Sequence, residues 1–264
     1  MEPWQLIVSL IQGITEWLPV SSEGQVMLFL SALGEIPPES LLTLAVWLHL
    51  GTSMAVIVRY PRDVFNVVAL RDRILTKRLL IATLATAITA IPTYFLLRQA
   101  LTDFQGEVMN VIVGLLLLIT GLVLYLPERK NPMQSQNDFG EVTDRKAALV
   151  GLIQGFSVLP GLSRSGVTIS ALLLQKVDKE KALRFSFLMS LPAVIGILGV
   201  EVLTGNAVLP AITPIDLFLM EAVVFVAGLV MMDLLLRLAK RIRFWTFCVI
   251  LGVIVLVLGI PVVI

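Results

Sequence analysis

Long apolar runs broken at regular places by polar residues set the pattern of this 264-residue chain. A spanning helix needs about 20 apolar residues, and half that length reaches only the middle of a bilayer. Residues 3–17 and 23–33 are each too short to cross, and Leu18-Pro19-Val20-Ser21-Ser22 breaks the helix between them. The pair predicts a re-entrant hairpin over 3–33 that enters, turns near the midplane and leaves on the same side. Apolar spans follow at about 41–59, 79–97 and 108–126, and a polar linker occupies 127–146. The pattern then recurs, with an interrupted hairpin at 147–175 and spans at 182–203, 215–238 and 244–263.

The recurrence is also one of sequence. Residues 10–24 and 152–166 align without a gap at a shift of 142, agreeing at Leu10/Leu152, Ile11/Ile153, Gln12/Gln154, Gly13/Gly155, Ser21/Ser163 and Gly24/Gly166. One hairpin plus three crossings is an odd number, so the second half (147–264) must start on the opposite face from the first (1–126). The predicted fold class is therefore an all-α polytopic membrane protein, with six transmembrane helices and two re-entrant hairpins in an inverted-topology repeat. In that architecture the broken helices of both halves meet near the midplane. Irregular backbone at that depth is tolerated where it is buried in protein or lines a wet cavity.

Composition agrees: 57% of residues are hydrophobic, 15% are charged and the mean hydropathy is +0.93. Such values exclude an ordinary soluble domain, and the runs lack the alternation of an outer-membrane barrel. The single Cys248 lies in an apolar run, which leaves no disulfide framework and no thiol metal site. The start, Met1-Glu2-Pro3-Trp4, has no basic n-region and is not read as a signal peptide. Charge placement tests the topology. With the N-terminus on one side, 18 of the 20 Lys and Arg fall on the other, Arg98 falls with the N-terminus, and Arg164 lies within a hairpin. By the positive-inside rule both termini are expected outside, at the plasma membrane. The basic stretch 59–78 reads as a lipid-facing amphipathic segment rather than a nucleic-acid site.

Charge at membrane depth is costly and marks function. Within the hairpins the charged candidates are Glu16, Glu23 and Arg164, accompanied by Gln12, Gln25, Gln154, Ser21, Ser22, Ser163, Ser165 and Thr168. Gln12 and Glu16, four apart, project from one helix face. A carboxylate there could hold a divalent metal or accept a proton, whereas an amide can ligate or orient only. Ser22-Glu23-Gly24-Gln25 fits a capping box, which makes Ser22 the expected N-cap of the returning half-helix. A helix N-terminus aimed at the midplane is an anion site. Arg164, flanked by Gly161 and Gly166, adds a bidentate phosphate donor with room for the backbone to approach. The competing reading pairs Arg164 with Glu16 or Glu23 as a structural ion pair. His49 is either a packing residue or, as an ionisable group in a span, a participant. Asp233 and Arg237, four apart, are expected to pair. Glu201 and Glu221, near the outer ends of their spans, are expected to be solvated.

At this point the chain resembles the undecaprenyl-diphosphate phosphatases of the bacitracin-resistance type. The resemblance rests on Gln12-x-x-x-Glu16, on Leu18-Pro19-Val20-Ser21-Ser22, and on Pro160-Gly161-Leu162-Ser163-Arg164-Ser165-Gly166-Val167-Thr168. It implies integral membrane enzymes that remove the terminal phosphate of a polyprenyl diphosphate, recycling a lipid carrier for envelope glycan synthesis. It also implies dependence on a divalent metal, Mg²⁺ or Ca²⁺, held by Glu16 with Gln12. Glu16 would otherwise be the base, and the attacking group either Ser22 or a water activated by Glu16 or Glu23. The diphosphate would lie on Ser21, Gln25, Ser163, Arg164, Ser165, Gly166 and Thr168. Partners are then the lipid and the bilayer, with no nucleic acid and with a homodimer left open. The family continues Ser-Ser-Thr-Gly-His, whereas this chain has Ser21-Ser22-Glu23-Gly24-Gln25. Gln25 cannot transfer a proton, so Glu23 or His49 is expected to take over that role. The rival reading is a transporter that flips a polyprenyl phosphate or diphosphate with little or no hydrolysis.

Overall fold

A computed structural model describes residues 1–33, 38–103, 106–130, 140–205, 209 and 212–238, with 246, 249–250, 252–254 and 256–257 near the C-terminal end. The described chain is all-helical, with no strand beyond an isolated bridge between Gly140 and Val177. Four helical stretches are long and apolar enough to cross a membrane: Leu42–Arg59, Arg73–Gln99, Lys179–Leu203 and Pro214–Leu236. Most of the predicted span 244–263, Cys248, residues 131–139 of the linker and the side chain of Arg237 lie outside the described residues.

The first interrupted segment forms α1 (Pro3–Thr15) and α2 (Ser22–Leu33). Pro3 opens α1, where its missing N–H costs nothing. Next come α3 (Pro38–Trp47) and α4 (His49–Arg59), parted only at Leu48 and together filling the span predicted at 41–59. After α5 (Pro61–Val68), α6 (Arg73–Asp103) runs for 31 residues with Pro92 inside it, and α7 (Gly106–Lys130) follows. The second interrupted segment forms α8 (Asp144–Gly155), a 3₁₀ turn at Phe156–Val158 and α9 (Arg164–Leu174). α10 (Lys179–Leu203) and α11 (Pro214–Leu238) follow.

The packing exchanges partners between the halves. α1 lies along α11, while its counterpart α8 lies along α6; α4 packs on α11, while its counterpart α10 packs on α6. Duplicated glycines make both close approaches. A Cβ on Gly13 would stand 2.7 Å from that of Ala227, and one on Gly155 would stand 2.0 Å from Thr89 Oγ1 and 2.6 Å from the Ala90 nitrogen. Thr89 seals the second crossing by donating to the Leu152 carbonyl at 2.8 Å. Trp17, 1% exposed, anchors the turn after α1 by donating to the Gly228 carbonyl at 2.7 Å and meeting Phe187 edge-on.

Charge sorts to the ends of this bundle. At one end Lys77 meets Asp144 at 2.6 Å, Lys181 meets Glu141 at 3.2 Å and Arg59 meets Asp233 at 2.6 Å. Asp233 is thus a partner of α4 through Arg59, and its expected pairing with Arg237 involves a side chain outside the described residues. The N-terminal ammonium meets Asp216 at 2.7 Å, at the start of α11.

Of two carboxylates expected in solvent, Glu201 is buried and Glu221 is partly buried. Glu201 is 0% exposed and accepts from Arg98 at 2.6 Å and from the Tyr94 hydroxyl at 3.3 Å, tying α10 to α6. Glu221 accepts from the Gly51 N–H at 2.6 Å. In both cases a donor from a neighbouring helix replaces water, and that donor cannot be read from position along a span.

Candidate active site

The two hairpin tips touch. The Gly161 N–H, freed by a φ of +106° that a side chain would resist, donates to Ser21 Oγ at 2.8 Å. Ser165 Oγ donates to the Leu18 carbonyl at 3.2 Å. A Cβ on Gly24 would lie 3.0 Å from the Gly161 nitrogen, and one on Gly166 would lie 3.1 Å from Pro19 Cβ. The glycines of the two motifs are therefore contact points between the tips.

The caps differ from expectation. Ser21, at φ 57°, accepts from the Gly24 N–H at 3.3 Å, so Ser21 and not Ser22 caps α2. Its counterpart Ser163 caps α9 in the same way, accepting from the Gly166 N–H at 3.2 Å. The left-handed turn at Ser21 advances the helix start by one residue. Ser22 and Arg164 thus become the first helical residues of α2 and α9, with both hydroxyl and guanidinium released from capping.

Both reach Glu16, the C-cap of α1, which is 5% exposed. Arg164 Nη2 donates to Glu16 Oε1. Glu16 Oε2 accepts from Ser22 Oγ at 2.6 Å and from Gln12 Nε2 at 2.9 Å, and His49 Nε2 lies 3.2 Å away. His49 Nε2 is also 3.7 Å from Glu23 Oε1. On its other side Nδ1 meets the Ala45 carbonyl at 2.7 Å, which can only accept, so Nδ1 carries a hydrogen. His49 is therefore no mere packing residue: its ring bridges the two carboxylates from the start of α4.

These groups line one end of a cavity of about 170 Å³ that also takes in Ser21, Ser163 and Gln154. Most of its remaining wall is apolar, with Leu42 and Val46 of α3, Ile91 and Tyr94 of α6, and Ile197 and Val200 of α10, and Thr83, Thr86 and Ser157 are the polar residues among it. Three buried polar atoms in the lining have no protein partner: Arg164 Nη1, Glu23 Oε2 and Gln154 Oε1. Each belongs to a residue lining a site that mixes a cation, carboxylates and an apolar slot. Such a site suits an anionic head on an apolar tail.

The other sequence candidates support this centre from outside the cavity lining. Gln12, fully buried, orients Glu16. Gln25 donates to the Val20 carbonyl at 3.3 Å and braces the first turn. Thr168 pairs with Ser186 at 2.7 Å, joining α9 to α10. Ser165 contacts Leu18 and Ser163, and Gly166 packs on Pro19 and Thr120. Among the described residues no group of three or more His, Cys, Asp or Glu side chains is arranged to hold a metal ion. Gln154 carries the vacant atom that a search for charged residues passes over. The signal for it was the Gln-Gly pair shared by both halves.

Against known proteins, the family model described as bacitracin resistance protein BacA matches residues 5–257. The chain belongs to the BacA family. Among its relatives, an undecaprenyl-diphosphatase of Methanothrix thermoacetophila is 38% identical over 253 residues, covering 96% of this chain and 95% of that one. Undecaprenyl-diphosphatases of Haloarcula marismortui and Methanopyrus kandleri are 37% and 36% identical, over 94% and 96% of this chain and 93% and 94% of theirs. The BacA family membership and the apolar helices together make this a multi-pass membrane protein.

Proposed function

We propose that this BacA-family protein hydrolyses the terminal phosphate of an undecaprenyl-type polyprenyl diphosphate, yielding the monophosphate and inorganic phosphate. The observation that carries the reading is the convergence of Arg164, Ser22 and Glu16 in the polar part of a cavity whose wall is mostly apolar. The diphosphate sits at that end and the first isoprene units occupy the slot. Arg164 turns its vacant Nη1 to the phosphoryl oxygens, helped by the first N–H groups of α2 and α9, whose dipoles point at the same place.

Chemistry starts at Ser22. Its hydroxyl already donates to Glu16 Oε2 at 2.6 Å, the arrangement of a nucleophile and its base. In the resting site Arg164 pairs with Glu16. The arriving phosphate takes Arg164 and leaves Glu16 free to accept the hydroxyl proton. The Ser22 Oγ–P bond then forms as the bond from phosphorus to the bridging oxygen breaks, and polyprenyl monophosphate leaves. Water attacks the phosphoserine, the Oγ–P bond breaks, and Ser22 and phosphate are restored. His49, bridging Glu16 and Glu23, is placed to hold a proton at Nε2 for the departing oxygen, the role that Gln25 cannot fill.

A divalent cation, Mg²⁺ or Ca²⁺, fits at Glu23. Its Oε2 is a buried oxygen ligand with no protein partner in the cavity lining, and such ions complete their shells with substrate phosphates. Both oxygens of Glu16 are taken, so Glu16 would ligate only by giving up Arg164, Ser22 or His49, and Gln12, whose Oε1 has no protein partner, lies outside the cavity lining. Bound there, the ion would neutralise charge on the diphosphate.

We further read the chain as two inverted repeats, 1–126 and 147–264, joined by 127–146. Each repeat has a re-entrant hairpin and three spans, and both termini lie outside. The exchanged pairings α1–α11 and α8–α6 favour this, as does the meeting of the Lys- and Arg-rich loops at the end opposite the N-terminus. The test is phosphate release from undecaprenyl diphosphate by the purified chain, with Arg164→Ala as control. Lipid binding without release above that control would favour a flippase.

A further inference from the structure

The shift of 142 that relates the hairpins pairs each group at the site with a counterpart. Ser22 maps to Arg164, Gln12 to Gln154, and Glu16 to Val158. In the first half the Gln12 amide donates to its carboxylate. In the second half the carboxylate is a valine, so Gln154 has no such partner and its amide turns elsewhere. Gln154 Nε2 donates to Thr86 Oγ1 at 3.2 Å. Thr86 has one hydroxyl hydrogen, and its Oγ1 lies 2.8 Å from the Ala82 carbonyl and 3.1 Å from the Gly151 carbonyl. Both of those are acceptors, so Thr86 spends its hydrogen on them and can only accept from Gln154. The network thereby fixes the orientation of the amide, with Nε2 on Thr86 and Oε1 turned away.

Gln154 is 2% exposed, lines the same cavity as Ser22 and Arg164, and its Oε1 has no partner in the protein. A buried carbonyl oxygen without a donor is costly, and the cavity that Gln154 lines is a space from which an O–H or N–H group would reach it. The diphosphate proposed above brings oxygens that accept. The other reactant, water, brings the hydrogens.

We infer that Gln154 positions the attacking water: its carbonyl accepts a water hydrogen and holds the water oxygen toward the phosphorus carried on Ser22. The inference rests on the phosphatase reading and on its covalent step. In that step the water oxygen bonds to phosphorus as the Ser22 Oγ–P bond breaks, one water proton passes to the serine oxygen, and phosphate leaves. Gln154 neither gains nor loses a proton. This is the work of an orienting amide in phosphoryl transfer. The two repeats would then divide the reaction, the first supplying nucleophile and carboxylates and the second supplying the phosphate clamp and the water.

The experiment is rapid-quench turnover of undecaprenyl diphosphate by the full chain and by Gln154→Met, which keeps the side-chain length and removes the acceptor. The wild type should release polyprenyl monophosphate and phosphate together. In Gln154→Met, phosphate release should fall on the order of 10²-fold, the usual effect of a lost positioning contact. Polyprenyl monophosphate should still appear in a fast burst of about one per enzyme, with phosphate retained on Ser22. KM and the melting temperature should stay near wild type, which a merely structural role would not allow. Unchanged phosphate release, or equal slowing of both products without a burst, would overturn the inference. A wild type that turns over but never carries phosphate on Ser22 would overturn it too, and would leave the phosphatase reading standing. A wild type that releases no phosphate would instead overturn the phosphatase reading.

Discussion

Ser22 and Arg164 occupy the same position in the two hairpins, the first residue of a returning helix, and bond the two different oxygens of Glu16. One carboxylate thus joins both halves of the molecule, with the hydroxyl from its own hairpin and the guanidinium from the other. The arrangement predicts which substitutions separate binding from chemistry.

Glu16→Gln keeps the shape and removes the charge. It leaves Ser22 without a base and Arg164 without its resting partner. Turnover should fall on the order of 10³-fold or more, in the range expected for a lost general base. Binding of the polyprenyl lipid should persist. Phosphate release at substrate saturation checks this, and a rate near that of the wild type would remove Glu16 from the mechanism.

Arg164→Lys retains one positive charge but loses the fork that can hold Glu16 and a phosphoryl oxygen together. Lysine is a point charge and does not replace a planar bidentate donor. KM should rise and kcat should fall, each by roughly tenfold or more, since the contact serves both bound substrate and transition state. Steady-state kinetics on both proteins would show whether either constant is spared, and two unaffected constants would contradict the assignment.

Gly155→Ala tests the helix crossing beneath the site. The added methyl would stand 2.0 Å from Thr89 Oγ1 and 2.6 Å from backbone nitrogen, so α8 must move away from α6. Overpacking of this kind costs about 1–3 kcal/mol. Gly196→Ala is the control, because a Cβ there meets nothing within 4 Å. Thermal unfolding in detergent should separate the two, with Gly155→Ala clearly lowered; equal melting temperatures would contradict the crossing.

Gln25→His restores the residue familiar at this position in relatives of the bacitracin-resistance type. Because Gln25 braces the Val20 carbonyl and lies outside the cavity lining, the change should alter turnover by no more than about threefold, as expected of a side chain away from the chemistry. His49→Gln should by contrast slow turnover severely. A large gain from Gln25→His would mean that residue 25 reaches the phosphate after all.

Much of this was legible in the chain because membrane helices announce themselves by length. Interrupted segments at 3–33 and 147–175, four of the six expected spans, the doubled motif and the concentration of Glu16 and Arg164 at one place all follow from apolar run length and the expense of buried charge. What stayed hidden depends on a second helix. The cap at Ser21 rather than Ser22 turns on one left-handed backbone conformation. Burial of Glu201 and partial burial of Glu221 depend on donors from α6 and α4. The doubled glycines Gly13 and Gly155 read as part of a motif, and only the packing of α1 on α11 and α8 on α6 shows them to be crossing points. Gln154 carries no charge, and its open carbonyl follows from a contrast that only the folded chain displays, since its counterpart Gln12 holds a carboxylate and Gln154 has a valine in that place.

The most direct measurement is phosphate release from undecaprenyl diphosphate with Mg²⁺, by the purified full chain in parallel with Glu16→Gln, Ser22→Ala and Arg164→Ala. Lipid binding is followed in the same preparations. The account predicts steady release by the native protein and loss of release in all three variants, with Glu16→Gln and Ser22→Ala still binding the lipid. Lipid binding by the native protein with no release above the Arg164→Ala variant would contradict it.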